Sequence, residues 1–216
     1  MKSEWKTESL RDLTGYIAKG IPPAYAEVEN ESTIRVLNQK CNRSFEIDYK
    51  HSRLHDLAKR RVPQTKYLLE GDVLINSTGT GTAGRVAQLW DVPCPTITDS
   101  HMIVIRAKEK LLQHYLGYAL KARQSEILQL DEGSTGQTEL NRERLLSEVF
   151  VAYPISFDEQ QVIVDTLSAL DDKISVNVKI NHYLAARSAT DNSPDIRRGK
   201  SVSRVAAKLS FSRPFA

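Results

Sequence analysis

The sequence predicts an α+β protein: one globular mixed α/β domain followed by a long heptad-repeat helix. Three observations carry this. Short apolar runs bounded by Gly, Pro, Asn and Asp recur between residues 33 and 106 and read as strands. Residues 109–130 place Leu112, Leu116, Ala119, Leu120, Ile127 and Leu130 at helical spacing, as a helix packed on those strands would. From Ser156 onward, Ile163, Leu167, Leu170, Ile174, Asn177, Asn181 and Leu184 alternate in steps of four and three, a heptad seam. The expected organisation is a globule over 1–154, a coiled-coil spacer helix over 155–184 and a basic, poorly ordered tail over 185–216.

In chain order, Thr33–Leu37 reads as a strand, and Phe45, Ile47 and Tyr49 alternate as a second, half-buried one. A short basic helix is expected over 52–61, ended by Pro63. Residues 69–77 form a turn feeding a strongly apolar strand. The glycines that follow, Gly79, Gly81 and Gly84, match the dinucleotide-binding pattern G-x-G-x-x-G. That pattern needs a crossover helix, but only Arg85 to Trp90 separate it from Pro93 and Pro95. The segment is therefore predicted as a hairpin, with strand 71–77 turning into strand 85–90. Thr96–Thr98 and His101–Arg106 are further strands around a Thr98-Asp99-Ser100 turn. A polar glycine loop over 131–140 leads into a helix near Thr138, and Val149 and Val151 mark a last strand. Ser156 with Glu159 three places on forms a capping box, and Pro154 stops anything upstream from entering that helix. Two Asn in the seam suit a device that fixes register and partner; the same periodicity also fits an amphipathic helix lying on its own domain.

Charge is concentrated. The net +3 conceals a tail with seven Lys/Arg against two Asp, and a stretch from Arg35 to Lys66 with nine basic residues against three acids. A local basic field of that size suits a phosphate backbone, although such a run is commonly just a solvated face. No apolar run approaches the roughly 20 residues that span a bilayer. Cys41 and Cys94 are too few for a disulfide framework, which fits the cytoplasm. Catalytic signatures are missing: His51 and His55 lack the Glu of a zinc-helix motif, and no nucleophile elbow or deaminase pattern occurs. No cofactor or metal is expected in this chain.

Several segments then fall into a known order: Leu69-Glu-Gly-Asp-Val-Leu-Ile-Asn-Ser-Thr-Gly-Thr80, Thr98 to Arg106, Gly133-Ser-Thr-Gly-Gln-Thr-Glu-Leu140, Val149 to Pro154, and Glu159-Gln-Gln161 opening a long helix. Across residues 4–184 the chain resembles the specificity (S) subunits of type I restriction-modification systems. The resemblance implies that 1–154 is a target-recognition domain reading one half of a bipartite double-stranded DNA site. It implies a non-catalytic role. Separate modification subunits would carry S-adenosylmethionine and methylate an adenine, and a motor-nuclease subunit can join them. Such subunits carry two recognition domains and two helices that pair antiparallel; this chain has one of each and looks like a half-subunit, expected to form a homodimer through its long helix.

On that reading phosphate contacts position the domain and base-edge contacts specify sequence. Lys40, Arg43, Lys59, Arg60, Arg61 and Lys66 are the positioning candidates, with hydroxyls of Ser77, Thr78, Thr80, Thr82, Ser134 and Thr135 and the side chain of Gln137. Arg35, Asn38, Gln39, Asn42, Arg53 and Gln64 are the base-reading candidates, because Arg suits guanine and Asn or Gln suits adenine. The 133–137 loop has a second reading, as a structural cap on the following helix. In the tail, Val202, Val205, Ala206 and Leu209 fit one face of a short basic helix, or simply a frayed end. Two other classes stay open: a coiled-coil interaction protein or truncated fragment that reads no DNA, and a nucleotide-dependent enzyme built on the glycine segment.

Overall fold

The computed structural model describes residues 3–132 and 138–191, with side chains as far as Arg187. The chain begins with β1 (Trp5–Ser9), a single helical turn α1 (Leu10–Leu13), β2 (Thr14–Lys19), β3 (Tyr25–Ala26) and β4 (Thr33–Leu37). A tight hairpin, β5 (Asn42–Arg43) and β6 (Glu46–Ile47), is followed by β7 (Arg53–Asp56), β8 (Val73–Asn76), β9 (Val86–Gln88), β10 (Thr96–Thr98) and β11 (Met102–Ala107). Then come α2 (Gln113–Ala122), α3 (Gln124–Ile127), β12 (Asp131–Glu132), β13 (Glu139–Leu140), α4 (Arg142–Glu148), β14 (Phe150–Pro154) and α5 (Phe157–Asp191).

Two four-stranded sheets form the globule, in the orders β2-β11-β8-β9 and β10-β4-β7-β3. The first is antiparallel throughout, and β8 and β9 make the hairpin expected from the sequence. In the second, β10 runs parallel to β4. Strands β8 and β11 are covered on both faces. Val73, Ile75, Ile103 and Ile105 pack with Leu116 and Leu120 of α2, while Leu74, Met102 and Val104 pack with Leu37 and Leu89. Burial on both faces is why these strands read as unbroken apolar runs.

Four local expectations change. The basic helix over 52–61 is a strand and a turn, because β7 pairs antiparallel with β4 and with β3. His55 is fully buried there; it accepts Ala24 N–H at Nδ1 (3.0 Å) and reaches Arg60 O from Nε2 (2.7 Å). Cross-strand pairing outweighs local helical preference. The strand expected through Phe45, Ile47 and Tyr49 shortens to β6, since Ser44 and Phe45 both take positive φ in the two-residue turn before it. The helix over 109–130 begins at Gln113 and breaks at Arg123. The helix expected near Thr138 starts at Arg142, where Asn141 Oδ1 accepts Arg144 N–H at 3.0 Å, and residues 139–140 pair with β12 instead.

Strand β1 pairs with β14 and so ties the two ends of the globule together. Helix α5 follows at once, with Ser156 Oγ accepting Glu159 N–H at 3.5 Å. The expected box is half formed, because the Glu159 carboxylate accepts from Ser3 Oγ at 2.6 Å. Gln160 is fully buried and anchors this first turn. Its Oε1 accepts Leu112 N–H at 2.8 Å and its Nε2 donates to Pro154 O at 2.9 Å. By its contacts the chain forms two units, Met1–Ser168 and Ala169–Ala216, whereas the sequence boundary stood at 154. Ile163 and Leu167 are half-buried in the first unit; Leu170, Ile174, Asn177, Asn181 and Leu184 are exposed in the second. The helix continues to Asp191, seven residues past the expected end at 184. The remainder of the tail, including Val202, Val205, Ala206 and Leu209, lies outside the described residues. Among the described residues no helix is long and apolar enough to cross a membrane.

One ion pair locks the first sheet. Arg106 holds Asp72 with two bonds, Nε to Oδ1 at 2.7 Å and Nη2 to Oδ2 at 2.8 Å, and also donates to Tyr67 O. Asp72 is buried, and Arg106 is held above its usual range by that carboxylate. Removing the anion leaves a largely enclosed guanidinium without its partner. Asp72→Ala should therefore cost about 3 kcal/mol or more in a urea titration. In the Thr98–Ser100 turn, burial raises the pKa of Asp99, against the hydrogen bond from His101 N–H. A carboxyl raised on folding stabilises below its unfolded pKa and loses that contribution as pH rises through its folded one. Asp99→Asn should flatten the fall in stability across the window just above the ordinary carboxylate range, as thermal melts from pH 4 to 7 would register.

Candidate nucleic-acid interface

The exit of β8 is where separate stretches of the chain meet. Ser77 donates its backbone N–H to His101 O and accepts Leu140 N–H, both at 2.8 Å, and Gly79 N–H reaches Thr138 O at 3.1 Å. On another side, Gln39 Nε2 donates to Thr78 Oγ1, and His101 Nδ1 lies 2.9 Å from the same hydroxyl. Asn42 Nδ2 donates to Asn76 Oδ1 at 3.2 Å and to Arg85 O at 2.8 Å. Residues 38–43, the 77–82 turn, His101 and residues 138–140 therefore share one junction. The glycines divide by role. Gly84 (φ +85) has no room for a Cβ, which would stand 2.9 Å from Ile127 O. Gly81 (φ +69) faces open space, so its backbone is accessible to a ligand.

The sequence candidates separate into three groups. Lys40 and Arg43 are exposed beside the junction, with Arg43 Nε donating to Lys40 O at 3.1 Å. Thr80 is exposed on the turn, and Thr78 and Thr82 are half-buried, with Thr82 Oγ1 donating to Gly79 O. Asn38 is half-buried; it caps Lys40 N–H and donates to His51 O. Asn42 and Ser77 are enclosed, at 1 % and 0 % exposure, and act inside the junction. Their Oδ1 and Oγ, with Thr138 Oγ1, lack hydrogen-bond partners among the described residues.

The second group lies elsewhere. Arg53 stacks over the Tyr25 ring at 3.4 Å, Arg60 Nη1 donates to Pro22 O, and Lys66 Nζ donates to Lys19 O. Lys59 stands 3.5 Å from Asp56, and Arg61 and Gln64 are exposed. Arg35 pairs with Glu29 at 2.7 Å. In the β4–β7 register Arg35 faces Leu54 while Arg53 faces Val36, so the two guanidiniums leave the sheet on opposite faces. The basic stretch is thus not one continuous surface. Ser134, Thr135 and Gln137 form the third group and lie outside the described residues.

Sequence reasoning missed His101, Lys19 and Asn76. His101 is exposed, and its place in the 98–106 segment was read simply as strand; Lys19 ion-pairs with Glu139 beside the junction. Among the described residues, Lys40, Arg43, Arg53 and Arg61 have no carboxylate within ion-pair distance. Cys41 is buried and its thiol is pushed up to about 11 by desolvation, which disfavours the thiolate. The arrangement offers hydroxyls, amides, a histidine and unpaired cations around an accessible glycine backbone. Such groups bind anions and base edges.

Residues 2–185 match the model of the type I restriction modification DNA specificity domain. No curated protein matches the chain by sequence. Among solved structures it resembles the type I restriction-modification S subunit from M. genitalium, with 16% identity and a TM-score of 0.55, covering 88% of this chain and 46% of that one. A chain from a structure of type I R-M complex assembly and conformational transition gives 16% identity and a TM-score of 0.61, over 87% and 43%. The HsdS subunit from Thermoanaerobacter tengcongensis gives 14% and 0.54, over 83% and 40%. The chain spans less than half the length of each. With a family match over most of its length and the same fold in these structures, this chain belongs to the type I restriction modification DNA specificity domain family.

Proposed function

We propose that this chain reads one half of a bipartite double-stranded DNA site and pairs with a second copy through α5 to complete the reader. The observation that carries the reading is the junction. Segments distant in sequence, 38–43, 77–82, His101 and 138–140, converge around an open glycine backbone, with Lys40 and Arg43 beside it. Lys40 and Arg43 would neutralise phosphates, and Gln39, Thr78 and His101 would face base edges or sugar. Methylation would be carried out by modification subunits holding S-adenosylmethionine and docked on the helix, with a motor-nuclease subunit able to join. A two-fold pair would recognise an inverted repeat, because protein symmetry is mirrored in the site.

A second reading has its own observation. The exposed apolar residues of the helix suit an interaction protein that reads no DNA. Co-expression with a type I modification subunit, followed by mapping of methylated adenines, separates the two: a defined sequence supports DNA reading, and protein binding with no sequence preference supports the alternative.

The proposal makes two quantitative demands. Lys40→Ala with Arg43→Ala should weaken duplex binding several-fold and flatten the dependence of log affinity on log salt by about two phosphate contacts. Lys59→Ala, whose cation already faces Asp56, should change little; fluorescence anisotropy at several salt concentrations measures both. Leu170→Asp with Ile174→Asp should leave the globule folded but convert a dimer to monomer by sedimentation analysis.

A further inference from the structure

A hydroxyl shared by two side chains settles which ring nitrogen of an imidazole carries its hydrogen. At the exit of β8, Thr78 Oγ1 meets the Gln39 amide nitrogen on one side and His101 Nδ1, at 2.9 Å, on the other. The amide nitrogen can only donate, so it takes one lone pair of the hydroxyl. Among the described residues Thr78 Oγ1 has no third partner, and the acceptor left for its hydrogen is His101 Nδ1. An accepting Nδ1 carries no hydrogen, so in the neutral ring the hydrogen sits on Nε2. His101 is exposed, and among the described residues its Nε2 has no protein partner. The chain from Gln39 through Thr78 thus ends in one N–H offered to solvent.

Each link of that chain is held by the fold. Gln39 opens the 39–41 turn, where Asn38 Oδ1 accepts Lys40 N–H at 2.9 Å and Asn76 Nδ2 donates to Gln39 O at 3.4 Å. Its Oε1 lies beside Gly79, where a Cβ would stand only 3.0 Å from it, and its Nε2 is the end turned to Thr78. His101 is pinned through both of its backbone groups. Its N–H donates to Asp99 Oδ1 at 2.9 Å, and its carbonyl accepts Ser77 N–H at 2.8 Å. Met102, next in β11, is fully buried. A donor placed this way is ordered before any ligand arrives, as a reading group requires.

A single N–H discriminates by rejecting other donors. In the major groove guanine shows acceptors alone, N7 and O6. Cytosine shows its N4 amino group there, and adenine sets its N6 amino group beside N7. We infer that His101 Nε2–H reads the N7/O6 edge of a guanine, with Gln39 and Thr78 as positioning residues that fix its tautomer. The inference rests on the DNA reading proposed above and assigns one base pair of the half-site to one side chain. Exchanging the donor behind the hydroxyl then exchanges the base in front of the ring. In Gln39→Glu the carboxylate can only accept. Thr78 turns its hydrogen toward that carboxylate and accepts His101 Nδ1–H, which leaves Nε2 an acceptor. A bare Nε2 repels guanine and pairs with the amino group of cytosine or adenine.

The test is selection from duplexes with randomised half-sites by the full chain co-expressed with a type I modification subunit. Alkaline buffer ensures that tautomer rather than charge is compared. The unaltered chain should select a defined half-site that contains a guanine. His101→Ala should lose roughly five- to tenfold of the preference for guanine at that one pair and keep the rest of the site. Gln39→Glu should favour cytosine or adenine there, while Thr78→Ser, which keeps the hydroxyl, should keep guanine. The readout is base preference in a chain that still selects the other positions, so a loss of fold does not mimic it. His101 is exposed, so His101→Ala keeps the test decisive should Gln39→Glu disturb the turn. If His101→Ala lowers affinity equally for every sequence and leaves the selected site unchanged, His101 contacts a phosphate. The inference is then overturned while the DNA reading stands. A Gln39→Glu chain that folds and still selects guanine overturns it as well. Should the unaltered chain select no sequence at all, the DNA reading itself is wrong, and the inference falls with it.

Discussion

A strand buried on both faces cannot shift register without moving two cores. Strands β8 and β11 are in that position, with Val73, Ile75, Ile103 and Ile105 in one core and Leu74, Met102 and Val104 in the other. The Arg106–Asp72 pair joins the same two strands, and the Asp72 carboxylate also accepts Leu69 N–H. The exit of β8 is therefore a fixed point. Whatever the Gly-Thr turn presents is held by the core beneath it, which is the condition for a loop to recognise a ligand.

That condition explains which parts of the site were legible. The β8–β9 hairpin was readable because apolar runs, glycines at the turn and prolines too close behind left no space for a crossover helix. That 77–82 is a glycine turn carrying hydroxyls followed from composition. The burial of Asn42 and Ser77 did not, because polar residues that satisfy a junction look the same in sequence as polar residues that meet DNA. His101 was hidden inside a strand pattern. Its role comes from pairing with Ser77, a contact across 24 residues that no local rule anticipates. The basic stretch divides for a related reason: Arg35 and Arg53 occupy adjacent register positions of β4 and β7, so their side chains leave the sheet on opposite faces.

The helix divides along similar lines. Heptad spacing located the helix, but not its anchor. Gln160 is a common surface residue type, and here it is wholly enclosed, bonding backbone groups at residues 112 and 154. Such a buried amide fixes the first turn of α5 to the globule. Farther along, Leu170, Ile174, Val176, Val178, Ile180, Tyr183 and Leu184 are exposed. A helix in water draws most of its stability from packing an apolar face, and this exposed row is the surface that the proposed pairing would cover.

The two ends of the proposed work then have different physical demands. Base reading needs polar groups held in place and offered to water until DNA replaces it, and the junction supplies amides and hydroxyls over a rigid sheet. Pairing needs apolar area, and the helix exposes Leu170, Ile174, Val178 and Leu184. Neither demand calls for a nucleophile, and the one thiol in the junction, Cys41, is raised by burial rather than activated. The core that β8 and β11 hold in common also takes Val164 of α5, so the globule and the start of the helix are one packed unit.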